Sequence, residues 1–242
     1  MTAWDPAHYE QFERERAQPG HDLMARIDLT APHRIVDLGC GTGRLTGLLA
    51  DRYPTADVLG IDRSSEMLSE AAGRVRYRQA DIVEWEPDGP LDLIYANASL
   101  QWIPDHPRLF PRLHQMLAAG GVLAVQMPLS WDQPSHRIMR RVGEEFGVDP
   151  QAPPTLEPTA YYQLLGEAEI WVTTYYHRLS GPNPVFRWVS ATGMKRFLGQ
   201  IPYDGHDEFR ARCARLIEEA YPAGPDGATV FPFRRLFIID RA

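Results

Sequence analysis

The residue types that could do chemistry gather first in Ile35-Val36-Asp37-Leu38-Gly39-Cys40-Gly41-Thr42-Gly43. An apolar run ends in an acid, passes into a turn with three glycines, and gives way to a helical stretch near Arg44. Glycines at 39, 41 and 43 leave the turn almost without side-chain volume, so a ligand can approach the backbone closely. A turn at the carboxyl end of a strand is where open α/β sheets place their ligands. The pattern points to a nucleotide-type cofactor. It departs from the dinucleotide fingerprint, which wants its third glycine where Arg44 stands.

Three further features fall in order behind the turn. Asp62 closes a second apolar run about twenty residues on, where a carboxylate can take both ribose hydroxyls. Asp81, in Gln79-Ala80-Asp81-Ile82, follows a third run, where an acid can accept from an exocyclic amine. A fourth run leads into Asn97-Ala98-Ser99-Leu100-Gln101-Trp102, a polar and aromatic patch expected beside the glycine turn. Any one of these acids alone reads as a helix cap or a surface carboxylate; the ordered series carries the weight.

Strands alternating with helices must position these groups. Strands are expected at 35–38, 58–62, 75–78, 91–96 and 121–127, and helices at 45–52, 64–72 and 105–117. Leu45, Leu48 and Leu49 face the sheet in the first of these helices, and Met67 and Leu68 in the second. This rhythm predicts an α/β, Rossmann-like, doubly wound sheet with right-handed crossovers. Ahead of it, 5–17 reads as a helix, Pro19-Gly20 as a break and 22–27 as a second short helix. The first helix is either a solvated amphipathic segment or a lid. Further on, 135–146 is helical, 149–158 a proline-rich connector and 170–176 a strand. Helices at 185–198 and 207–220 precede a closing strand at 230–240 that Pro232 interrupts. Residues 177–222 look like an inserted helical lobe.

The 242 residues, 44% hydrophobic and 24% charged, suffice for one sizeable core and a small lobe. A formal net charge of −7 argues against nucleic acid or an anionic membrane as partner. Cys40 and Cys213 are the only cysteines, placed for neither a disulfide scaffold nor a zinc site, so no metal is expected. The N-terminus lacks the basic and apolar regions of a signal peptide, and no apolar run approaches a membrane span. A cytoplasmic protein, monomeric or weakly dimeric, is the expectation.

In this series of motifs the chain resembles the class I S-adenosylmethionine-dependent methyltransferases. Asp37 to Gly43 looks like their first motif, and Gly60-Ile61-Asp62 like their ribose-binding strand end. The resemblance implies S-adenosylmethionine as cofactor. It places Asp37, Gly39, Cys40, Gly41 and Gly43 around it, Asp62 and Arg63 at the ribose, Asp81, Ile82 and Met67 at the adenine, and Asn97 and Ala98 at the methionine end. It also implies seven strands, the last antiparallel, in one domain over 1–242. That domain would have N-terminal lid helices in 5–28, a cofactor half in 33–128 and a substrate half in 129–242.

Over nearly its full length the chain further resembles the trans-aconitate 2-methyltransferase family, which esterifies a small unsaturated tricarboxylic acid. The matching stretches include Trp4-Asp5-Pro6, Glu15-Arg16, Tyr95 to Trp102, Pro104-Asp105-His106, Leu123 to Pro128 and Pro134-Ser135-His136. Thr173 to His177, Trp188-Val189, Ala191-Thr192-Gly193 and Arg235-Leu236-Phe237 complete the set. One departure is Gln18, where the family carries a second arginine.

A carboxylate acceptor is ionised at pH 7, since its pKa is about 4, so no general base is needed. Transfer then depends on aligning oxygen, methyl and sulfonium and on excluding water. No catalytic His or Cys is therefore sought. Arginine forks and aromatic or amide donors must hold the non-reacting carboxylates, and the candidates are Tyr9, Arg16, Trp102, Gln126, Tyr175, Tyr176, His177 and Arg235. Tyr175 and Tyr176 point to opposite faces of one strand, so at most one serves the site. Trp102 and Gln126 have a packing alternative, His136 reads as a capping or packing histidine, and Cys40 by itself as a small turn filler. Three other functions remain open: methylation of a different small acid or a malonyl thioester, a nicotinamide oxidoreductase, and cofactor binding without catalysis. The missing third glycine and the lack of a Tyr-x-x-x-Lys pair count against the oxidoreductase.

Overall fold

Ile35, Val36 and Leu38 are all buried in β1 (Arg34–Leu38), with no alternation between faces, as befits a strand covered on both sides. The computed structural model describes residues 13–71, 73–149, 155–191 and 193–242. Around β1 stand β2 (Asp57–Asp62), β3 (Arg76–Gln79), β4 (Leu91–Asn97), β5 (Leu117–Pro128), β6 (Glu169–Leu179) and β7 (Thr229–Arg241). The seven-stranded sheet has the order β3-β2-β1-β4-β5-β7-β6. β1 pairs in parallel with β2 and β4, β2 with β3, and β4 with β5. β7 runs antiparallel to β5, with Phe237 opposite Gln126. The strand order reverses at β1, the switch point where doubly wound sheets open a crevice at their carboxyl ends.

The described helices are α1 (Glu13–Arg26), α2 (Arg44–Arg52), α3 (Ser65–Ser69), α4 (His106–Gln115), α5 (Pro134–Glu145), α6 (Pro158–Leu165), α7 (Pro184–Ser190), α8 (Lys195–Leu198) and α9 (His206–Ala220). The chain divides into two compact units. One is built from 18–128, 153–173 and 235–242, the other from 1–17, 129–152 and 174–234, each in its described parts. The core of the first is the apolar sheet, with Leu93, Ile94, Tyr95, Leu123, Ile238 and Ile239 at 1% exposure or less. The core of the second gathers Met139, Val142, Val185, Trp188, Phe197, Phe209, Cys213 and Ile217. No described helix is long and apolar enough to cross a membrane.

Several elements differ from expectation. Pro19 does not break the N-terminal helix; it lies inside α1, and both Pro19 and Gly20 are buried. The Tyr95 hydroxyl donates to the Gly20 carbonyl at 2.9 Å, a tertiary bond that local propensity could not announce. Residues 5–12 of the expected first helix lie outside the described residues. On α2 the buried face is Thr46, Leu49 and Ala50, while Leu48 is 36% exposed. α3 ends at Ser69, capped at its start by the Ser64 hydroxyl, which accepts from the Met67 N–H at 3.2 Å. A helix, α6, occupies a stretch where none was expected, and the segment from Pro184 onward splits into α7 and α8.

Candidate active site

The glycine turn follows from backbone necessity. Gly39 has φ 75 and Gly41 φ 56, left-handed conformations that side chains resist. A Cβ on Gly39 would stand 2.4 Å from Ser99 Cβ, so the turn and the end of β4 touch through a position only glycine can occupy. At Gly41 no described atom lies within 4 Å of the equivalent point, which leaves an open face on the backbone.

Asp37 lies beneath this turn, 2% exposed, and accepts the Thr46 hydroxyl at 2.7 Å. Burial pushes its carboxyl up to about 7; the Thr46 bond opposes the rise and the Asp62 charge adds to it. Its side chain thus ties the end of β1 to α2 across the turn. Burial, with the Asp37 and Asp62 charges, pushes the Cys40 thiol far up, so Cys40 offers no thiolate.

At the end of β2, Asp62 is half-buried and accepts two backbone N–H groups, Gly41 through Oδ2 and Ser64 through Oδ1, each at 2.9 Å. A carboxylate has about four lone-pair sites, so capacity for hydroxyl donors remains. Arg63 is exposed, and its carbonyl takes the Gln79 amide at 3.0 Å. Met67 is half-buried on α3. Asp81 is exposed, its Oδ1 accepting from Val83 N–H at 2.8 Å. Ile82 reaches within 3.7 Å of the Gly39 Cβ position, and Arg112 from α4 holds its carbonyl at 3.1 Å.

The carboxyl ends of β4 and β5 supply the polar part. Asn97 pairs in register with Gln126. Gly20 passes so close that a Cβ there would stand 2.6 Å from Leu45 and 3.2 Å from the Asn97 amide. Ala98 takes φ 53, a strain of about 1–3 kcal/mol for a residue with a Cβ. Among the described residues, Asn97 Oδ1, Ser99 Oγ, Gln101 Oε1 and Gln126 Nε2 are buried without a hydrogen-bond partner. Four such atoms in one region are what a polar ligand would satisfy. Arg235 is buried and donates to Gln126 Oε1 at 3.0 Å. Trp102, on the 3-10 turn Leu100–Trp102, is 59% exposed. The sequence marks 97–102 as a polar patch without ranking Ser99 or Gln101 within it, and Gly20 only as part of a break. Ser99 and Gly20 gain their places from contacts with distant segments, Gln101 from its bond to the nearby Ala98.

The other unit holds an aromatic group. Arg16 donates to the Trp188 carbonyl at 3.1 Å, and its guanidinium lies 4.9 Å from the Trp188 ring centroid. His177 stacks on Trp188 at 5.4 Å and on Tyr175 at 6.0 Å. Tyr176 points to the opposite face of β6, 72% exposed, in a cleft of about 710 Å³ beside Arg178, Tyr221 and Pro232. His136 packs between Ser130 and Ser135. Tyr9 lies outside the described residues. No group of three or more His, Cys, Asp or Glu among the described residues could hold a metal ion.

Comparison with known proteins bears on this arrangement. Residues 35–121 match the methyltransferase domain family model. A trans-aconitate 2-methyltransferase from Methylobacterium nodulans is 45% identical over 255 aligned positions, covering 100% of this chain and 99% of the relative. The chain belongs to the trans-aconitate 2-methyltransferase family. Its relative of the same name from Yersinia pestis is 44% identical over 258 positions, again covering 100% of this chain and 99% of that one. The family fold extends to solved structures: an S-adenosylmethionine dependent methyltransferase from Mesorhizobium loti has a TM-score of 0.54 at 21% identity, over 94% of this chain and 98% of that one.

Proposed function

We propose that the chain methylates a carboxylate of a small polycarboxylic acid, trans-aconitate, using S-adenosylmethionine and no general base. The observation that carries the reading is the set of four buried, unsatisfied polar atoms at the ends of β4 and β5 beside an open glycine backbone. These residues suit the cofactor chemically: Asp62 accepts sugar hydroxyls, Asn97 Oδ1 and Ser99 Oγ accept from an ammonium group, and Ile82 and Met67 offer apolar cover for a base. When bound, S-adenosylmethionine supplies an electrophilic methyl group on a sulfonium.

The chain's own part is positioning. Gln126 Nε2 donates to an acceptor carboxylate, and Arg235 fixes the amide in that orientation. The acceptor oxygen is already anionic at pH 7, so the protein has no proton to remove. Cys40, held as a thiol, and Asp37, sealed under the turn, fit a site without a nucleophile or base of its own. Arg16, His177 and Tyr175 are proposed as further acceptor contacts, and Trp102 as a cover. A different small acid is the competing acceptor. It draws on Gln18, whose amide donates to Asp22 at 2.7 Å on the exposed side of α1.

The test uses methyl-labelled S-adenosylmethionine with trans-aconitate, followed by mild alkali. Label that enters the acid and leaves as volatile methanol supports a methyl ester. Label that resists alkali overturns carboxylate methylation. Absence of transfer to trans-aconitate, with transfer to another acid in a panel, replaces the acceptor.

A further inference from the structure

The turn after β4 is pinned by side-chain hydrogen bonds that stay within the protein. Ala98 holds φ 53, and its peptide groups are clamped on both sides. Its N–H donates to the Gln126 carbonyl at 2.9 Å, and its carbonyl accepts Gln101 Nε2 at 2.6 Å. One turn further, His106 Nε2 lies 2.9 Å from the Leu100 carbonyl and Nδ1 lies 2.6 Å from the Tyr161 hydroxyl. A carbonyl only accepts, so Nε2 carries the proton and the Tyr161 O–H donates to Nδ1. The Leu156 N–H completes the chain, donating to the Tyr161 oxygen at 3.0 Å.

What this clamp holds in place is specific. Ser99 follows Ala98 directly and presses against Gly39, and Asn97 precedes it with Oδ1 buried and unsatisfied. Were Ala98 to relax into an ordinary conformation, both neighbours would rotate away from the glycine turn. We propose that Gln101 is a positioning residue for the cofactor site: by pinning the Ala98 carbonyl, it fixes the direction in which Asn97 and Ser99 present their oxygens. The inference rests on the reading that the Gly39–Gly43 turn holds S-adenosylmethionine. The rival role for Gln101 is direct contact through its own Oε1, which is also buried without a described partner.

A mutant cycle separates the two roles, with S-adenosylhomocysteine titrated by calorimetry into the full chain and each variant's melting transition recorded. Glycine adopts φ 53 without strain, so an Ala98→Gly background needs the clamp less. Gln101→Ala is expected to weaken binding about tenfold in the wild-type background and at most about threefold in the Ala98→Gly background. Gln101→Glu keeps an oxygen at the end of the side chain and, ionised, cannot donate to the Ala98 carbonyl; it is expected to weaken binding as Gln101→Ala does. Equal losses in both backgrounds, no loss in either, or wild-type affinity in Gln101→Glu would each overturn the positioning role. A wild-type protein that binds no S-adenosylhomocysteine would sink the cofactor reading and this inference together.

Discussion

The Arg235 guanidinium donates to Gln126 Oε1 at 3.0 Å, and this bond settles which end of a buried amide is left to donate. Gln126 is 0% exposed, and its Nε2 has no hydrogen-bond partner among the described residues. An unsatisfied buried donor costs about 1–3 kcal/mol, which the proposed bond to an anionic oxygen of the acceptor would recover. Gln126→Glu removes that donor and sets a carboxylate against Arg235. In steady-state assays kcat/KM for trans-aconitate is expected to fall about a hundredfold, with affinity for S-adenosylhomocysteine within about threefold of wild type. An unchanged kcat/KM would remove Gln126 from the acceptor site.

Arg16 is held by its own unit before any acceptor arrives. Its bond to the Trp188 carbonyl and its place over the Trp188 ring preset the guanidinium, so little side-chain entropy remains to be lost on binding. Arg16→Ala is expected to raise the acceptor KM about tenfold with kcat nearly unchanged, the mark of uniform binding. Lysine lacks the planar fork, so Arg16→Lys should restore less than half of the loss in binding free energy. Wild-type KM in the alanine variant would take Arg16 out of acceptor recognition.

What could be read in advance was local or periodic. The unalternating burial of β1, the glycine turn and the acid that ends β2 all announce themselves within a few residues of sequence, because backbone sterics and strand burial act at that range. The misjudged features depend on distant partners. Pro19 stays inside a helix that Tyr95, 75 positions from Gly20, helps to anchor. Leu48 turns outward because the buried side of α2 falls on Thr46, Leu49 and Ala50. Ser99 and Gln101 stand in a stretch whose polarity was visible, yet their place in the site comes from Gly39 and the strained Ala98. Asp37 was legible as part of the motif, whereas its position beneath the turn required the Thr46 contact to be seen.

Asp37 gives the first of two opposed pH dependences. Its carboxyl titrates at about 7 in the folded chain, against an ordinary 3.8. Between those values the folded state holds a proton that the unfolded state releases, so stability falls as pH rises and the full penalty is present above 7. Asp37→Asn is neutral throughout and lacks this slope. Urea unfolding at about pH 4, 6 and 8 should show the variant gaining on wild type, by on the order of 4 kcal/mol at the top of the range. Parallel curves would show that the buried carboxyl does not titrate in this window.

His136 runs the other way. Burial, then the nearby Arg140 and Arg196 charges, lower its ring to about 4 from the usual 6.5. In that window the unfolded state binds the proton and the folded state resists it, so stability is complete above 6.5 and is lost on acidification toward 4. Both ring nitrogens face serine hydroxyls, Ser130 at 3.1 Å and Ser135 at 3.3 Å, and a glutamine can keep one such bond while staying neutral. His136→Gln should therefore gain stability relative to wild type as pH falls from about 7 to 4. The difference should be about 2 kcal/mol, below the full linkage value because the residue is only half-buried. The two windows overlap with opposite signs, so each single variant should have a steeper stability profile over pH 4–6.5 than wild type. The double variant should return close to the wild-type slope. A double variant as steep as either single one would mean that one of the two groups titrates outside its assigned range.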